Sequence, residues 1–126
     1  MKALLASVIL AAGPALAIDV PSGQPVELQE VLVDTIGDET WLRFRFITPR
    51  IARGTGSVDY ETAADDMTYL CDTLAIPYIA EYALTGDVIV ISMSDRATAF
   101  GVAEPGATQF FEAYRVQNDA CIWEGL

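Results

Sequence analysis

The side chains best suited to chemistry in this sequence are arginines. Arg43, Arg45, Arg50 and Arg53 fall within eleven residues, in a chain with only seven basic residues against eighteen acidic ones. Arg43 and Arg45 alternate with Leu42, Phe44 and Phe46, so they share one side of an extended segment with Trp41 and Ile47. A guanidinium beside an indole can bind a carboxylate, stack on a ring or anchor an interface. Trp41, Arg43 and Arg45 are therefore the candidate binding residues. The plainer reading is an exposed sheet face whose arginines pair with the abundant acids. On sequence alone both readings stand.

Carboxylates are the other reactive groups, and two of them can run acid–base hydrolysis. Glu61, Asp65, Asp66 and Asp72 are the candidates. At helical spacing Glu61, Asp65 and Asp72 fall within about 40° of one another, nearly opposite the apolar side, which is where a solvated face belongs. The same residues could attract calcium, but no loop with EF-hand spacing is present. The acids from Asp34 to Glu39 read as a hairpin turn.

Much other chemistry is excluded. The chain has no histidine and a single lysine, Lys2, so Ser-His-Asp and Cys-His nucleophile systems cannot be assembled from it, nor a Ser-Lys pair once Lys2 is removed. Two cysteines expected to be bridged cannot make a zinc site. Gly54-Thr55-Gly56 lacks the third glycine of a dinucleotide fingerprint, and Asp59 puts negative charge where a phosphate would sit. No cofactor and no metal are expected.

The N-terminus reads as a cleavable export signal over residues 1–17. Lys2 is the positive end, Ala3 to Ala12 the apolar run, and Ala15-Leu16-Ala17 the small-residue cleavage site, with Ile18 the expected new start. The apolar run, about ten residues, is half of what a membrane helix needs. Removal leaves 109 residues, expected as one acidic domain over 18–126 with no later membrane span. Its six arginines against eighteen carboxylates make −12. Such a field repels nucleic acid and anionic lipid and favours cationic partners. The expected location is periplasmic or secreted. In that oxidising destination Cys71 and Cys121, 50 residues apart, read as a disulfide.

The remaining pattern is that of alternating elements. Val26 to Asp34 and Thr40 to Ile47 read as a hairpin around Gly37-Asp38-Glu39. Asp59 suits a helix N-cap, and Tyr60, Ala63, Ala64, Met67, Leu70, Cys71 and Leu74 recur on one side of that helix. Pro77 should break or restart it. Val88 to Met93 has the make-up of a central strand, and Ala97 to Val102 is expected as the next. A second helix is expected from Pro105 through Phe110, Phe111 and Tyr114, and Cys121 to Trp123 as a closing strand. Phe110, Phe111 and Trp123 are expected in the core. The sum is an α+β fold, a small antiparallel sheet with helices packed on one face. Its order matches a ferredoxin-like layout with an extra N-terminal strand.

The stretches Val88-Ile-Val-Ile-Ser-Met-Ser-Asp-Arg and Ala107-Thr-Gln-Phe-Phe-Glu-Ala-Tyr-Arg, with the ending Cys121-Ile-Trp-Glu, resemble a family of small exported alphaproteobacterial proteins. That family is a domain of unknown function. The resemblance implies export and supplies no activity, ligand or catalytic residue.

Two function classes follow. One is an exported, non-catalytic binding or accessory module that contacts an envelope protein through the sheet face. The other is a small hydrolase using a carboxylate pair. Carboxyl groups converging in a cleft would favour the enzyme, and an apolar surface with arginines the module.

Overall fold

The computed structural model describes residues 18–125, so the export signal expected over residues 1–17 lies outside the described residues. In chain order the elements are β1 (Glu27–Ile36), β2 (Glu39–Ile47), a 3-10 turn (Pro49–Ile51), α1 (Tyr60–Leu70), a π-helical turn (Cys71–Ala75), α2 (Ile76–Glu81), β3 (Val88–Ser94), β4 (Gln109–Gln117) and β5 (Ala120–Glu124). The strands form one sheet in the order β1-β2-β3-β4-β5. All neighbours are antiparallel except β2 and β3, which run parallel because the helical segment carries the chain back between them. The class is α+β, with the helices on one face of the sheet, as the sequence pattern implied.

The N-terminal hairpin forms where expected, with Ile36 opposite Glu39 around Gly37. Gly37 takes φ +61, the left-handed turn conformation that glycine enters without strain. Asp59 caps α1, its Oδ1 accepting from the Thr62 N–H at 2.9 Å. Pro77 does not end the helical rod. A π-helical turn precedes it, and Pro77 falls in the first turn of α2, where its missing N–H breaks no bond of that helix.

The second half departs from the expected order. Ala97 to Val102 forms no strand, and the helix expected from Pro105 is replaced by β4. The reason is the exposed edge of β3, whose backbone donors and acceptors need a partner on the side away from β2. With β4 in place, Phe110, Glu112 and Tyr114 pair with Met93, Ile91 and Ile89. Over so short an apolar run, period two and period 3.6 fit equally well. A two-residue turn at Asn118 (φ 53) and Asp119 (φ 62) then folds β5 onto β4. The outcome lacks the second helix of the ferredoxin-like layout.

The main core lies between the sheet and the helical segment. Leu42, Phe44 and Phe46 of β2 meet Ala63, Met67, Leu70, Cys71 and Ala75, with Ile89, Ile91, Met93 and Tyr114 completing the cluster. Tyr114 is fully buried with its hydroxyl 3.2 Å from Thr68 Oγ1, and burial pushes its phenol up to about 12. Phe110 packs against this core as expected. Phe111 and Trp123 do not: each is 62% exposed, because strand alternation turns Phe111 to the other face and Trp123 lies on the edge strand. The expected disulfide is present, joining Cys71 in the π-helical turn to Cys121 in β5.

Candidate functional site

Strand alternation on β2 sends Trp41, Arg43 and Arg45 to the face away from the helices. Val88, Val90 and Ser92 of β3 and Phe111 and Ala113 of β4 share that face by register. Trp41 packs on a small second cluster of Val88, Val90 and Ala113. This face is not bare. The connection between β3 and β4, residues 95–108, folds back across part of it and places Phe100 over both arginines. The Phe100 ring centroid lies 5.2 Å from Arg43 Cζ and 5.6 Å from Arg45 Cζ. Arg43 is also 5.4 Å from the Trp41 ring.

The connection is held by named contacts at both ends. At the near end Arg45 Nη2 donates to Thr98 O at 3.1 Å and to Thr98 Oγ1 at 2.9 Å. Gln29 Nε2 reaches the same carbonyl at 2.9 Å, and Gln109 Nε2 the same hydroxyl at 3.2 Å. At the far end Arg96 donates to Asp95 and to Gly106 O, while Asp95 Oδ1 accepts from the Thr108 N–H at 3.0 Å. Arg53 Nη2 adds a bond to Pro105 O. The Arg96 hydrogen bond, helped by the Thr108 N–H against a burial penalty, holds Asp95 below the usual carboxylate range. A connection longer than about 12 residues without its own secondary structure is commonly a functional one.

These contacts separate the two arginines by role. Arg45 is buried, ion-paired through Nη1 to Glu30 and bonded through Nη2 to Thr98. It is a strut that joins β1, β2 and the covering connection. Arg43 donates only through Nε, to Asp34 Oδ2 at 3.1 Å. Its two terminal nitrogens have no protein partner among the described residues, and its side chain lines a cavity of about 420 Å³ between the sheet and the connection. Val90, Phe111, Phe100 and Val102 give that cavity apolar walls, and Ser92 and Ser94 line its floor. Ser94 is only 7% exposed, and its hydroxyl is buried without a hydrogen-bond partner among the described residues. The Trp41 indole N–H is likewise buried with no partner among the described residues. Of the other clustered arginines, Arg50 sits exposed in the 3-10 turn and Arg53 serves the far end of the connection.

The acids put forward for hydrolysis are dispersed. Asp66 is fully buried and accepts from Ser22 and Gln24, which clamps the lead-in before β1 onto α1. Asp72 Oδ1 accepts from the Cys121 N–H at 2.8 Å. Glu61 is exposed in the first turn of α1. Asp65 shares a second, smaller pocket with Glu112, whose Oε1 accepts from Trp123 Nε1 at 2.6 Å. The arrangement around Arg43, by contrast, combines a free pair of cationic donors with apolar walls. It can hold an anion that carries an apolar body.

Sequence reasoning placed Trp41, Arg43 and Arg45 on one face but missed the covering connection, and with it Thr98 and Phe100. No local signal marks those two residues, because their partners are far away in the chain.

No helix among the described residues is long and apolar enough to cross a membrane, and the disulfide is compatible with an extracellular location. No curated protein and no solved structure matches the chain. A model described as a family of unknown function (DUF6497) matches residues 3–126, and the chain belongs to that family.

Proposed function

We propose that this member of the family is an exported, non-catalytic binding module that contacts an envelope protein through the sheet face away from the helices, with Arg43 as the anchoring charge. The observation that carries the reading is the unequal use of the two arginines. Arg45 is committed to holding the β3–β4 connection, whereas Arg43, which lines the same cavity, keeps two terminal donors without a partner among the described residues. The chain's lack of histidine leaves Ser92 and Ser94 without a general base of the usual kind.

The test is capture from an envelope extract by wild type, Arg43→Ala and Arg45→Ala, each checked by thermal melting. Arg43→Ala should fold with a loss within about 1 kcal/mol, since its pair with Asp34 is partly solvated. It should weaken capture by about ten- to a hundredfold, the loss of one shielded charge-assisted contact. Arg45→Ala should instead lower stability by about 1–3 kcal/mol, because Thr98 and Glu30 lose their partner. Equal recovery of the same proteins by wild type and Arg43→Ala overturns the assignment.

Export is tested separately. Intact-mass measurement on protein recovered from periplasm or medium should find a chain beginning at Ile18. Full-length protein confined to the cytoplasm is the contrary result.

A further inference from the structure

We infer that the cavity beneath the β3–β4 connection binds a small organic carboxylate, its head on the terminal nitrogens of Arg43 and its apolar body along Val90 and Phe111 under Phe100 and Val102. The inference rests on the reading that this face is the binding surface, and it names a ligand chemistry that the reading leaves open.

The head group follows from the donors. Arg43 Nε is taken by Asp34, which leaves Nη1 and Nη2 without a partner among the described residues, on a side chain that lines the cavity. That fork matches the two oxygens of a carboxylate, and a planar guanidinium stacked near Trp41 and Phe100 has little freedom left to lose. One guanidinium beside the Asp34 carboxylate, in a chain of strong negative charge, suits a monoanion. A phosphate dianion would meet repulsion from Asp34, and Arg45, the other guanidinium on this cavity, is already paired with Glu30.

The body follows from the walls and the size. A volume of about 420 Å³ lies at the lower end of the range for small-molecule sites. Val90, Phe111, Phe100 and Val102 give the space apolar walls, and Phe111 and Phe100 are 62% and 49% exposed. Such exposed rings around a cavity are what an apolar ligand covers. At the other end lies Ser94, whose buried hydroxyl has no partner among the described residues. Ser94 is four residues along β3 from Val90, the residue opposite Arg43, so the two polar ends are separated by roughly 13 Å of apolar wall.

The experiment is titration of the purified, disulfide-intact protein with octanoate and 3-phenylpropionate, followed by calorimetry and by chemical shifts of the Phe100 and Phe111 rings. The matching alcohol, the matching amine, acetate and inorganic phosphate serve as comparisons. Saturable binding of the two apolar acids is expected, at least tenfold tighter than binding of the alcohol or acetate. Arg43→Gln should remove that preference while leaving the melting temperature close to wild type, and Arg43→Lys should recover part of it. Equal binding of acid and alcohol, binding unaffected by Arg43→Gln, or no binding at millimolar acid overturns the inference. A short peptide with an apolar C-terminal residue that binds more tightly than either free acid, and loses this on amidation, overturns it too, by assigning the cavity to a partner's chain end. The two readings fail separately. If the acids do not bind but Arg43→Ala still loses its envelope partner, only the ligand chemistry is wrong. If the acids bind but capture is unchanged, the protein-contact reading falls instead.

Discussion

Replacing Asp66 with alanine is expected to lower stability by about 3 kcal/mol, with a fall in melting temperature of roughly 10–20 °C for a chain of this size. Asp66 is fully buried, yet it has no cationic partner among the described residues. Its carboxylate is held by three donors: Ser22 N at 3.0 Å, Ser22 Oγ at 2.5 Å and Gln24 Nε2 at 2.7 Å. Hydrogen bonds to a charged group contribute more than neutral ones, and removing the acceptor leaves Gln24, itself 3% exposed, with an unsatisfied buried amide. The clamp also closes the lead-in over the core, where Val20 and Val26 are buried. Its loss should therefore expose apolar surface as well as polar atoms. The control is the neighbouring Asp65→Ala, at an exposed position, expected within about 0.5 kcal/mol of wild type. Denaturant melts of both variants make the comparison. Equal stability of the two would show that the lead-in contributes nothing to the fold.

Opening the Cys71–Cys121 bridge should produce a loss of similar or greater size. The bridge closes a loop of 50 residues, for which loss of chain entropy in the unfolded state predicts about 4 kcal/mol. The structure also says where the loss will be felt. β5 is a five-residue edge strand paired on one side only, and on its helix side it is tied by the bridge and by the Asp72 contact to Cys121 N–H. Reduction, or paired Cys→Ala substitution, should lower the melting temperature by more than 10 °C. Amides of Ala120 to Glu124 should exchange faster than those of β3 at the centre of the sheet. Unchanged melting after complete reduction, verified by alkylation of both thiols, would contradict the loop-entropy argument.

The proposed export would add meaning to the second result. A bridge of this worth is stable only where thiols are not kept reduced. The proposed module would thus reach full stability at its destination rather than where it is synthesised.

Several features were legible in the residues themselves. The alternation Leu42, Phe44, Phe46 against Trp41, Arg43, Arg45 defined a strand and its two faces, because side chains on a strand alternate whatever lies around them. Asp59 marked the start of α1, and the β-branched run Val88 to Ile91 marked the central strand. Residue types also limited the chemistry, since a chain without histidine cannot assemble the common nucleophile systems. These are properties of local spacing or of composition, and neither needs a tertiary partner.

The rest depended on contacts between distant residues. Phe110, Phe111 and Tyr114 fit a helix until the open edge of β3 required a strand beside it. Arg43 and Arg45 are alike in the sequence, two positions apart on one face. They differ only because Glu30 and Thr98, 15 and 53 residues from Arg45, close on its guanidinium and not on that of Arg43. Asp66 was one more candidate carboxylate in the sequence until Ser22 and Gln24 folded over it from more than forty residues away. Local spacing assigns a side chain to a face. Which groups meet it there, and so whether a charge is a strut, a clamp or a free donor, is decided by chain segments that only folding brings together.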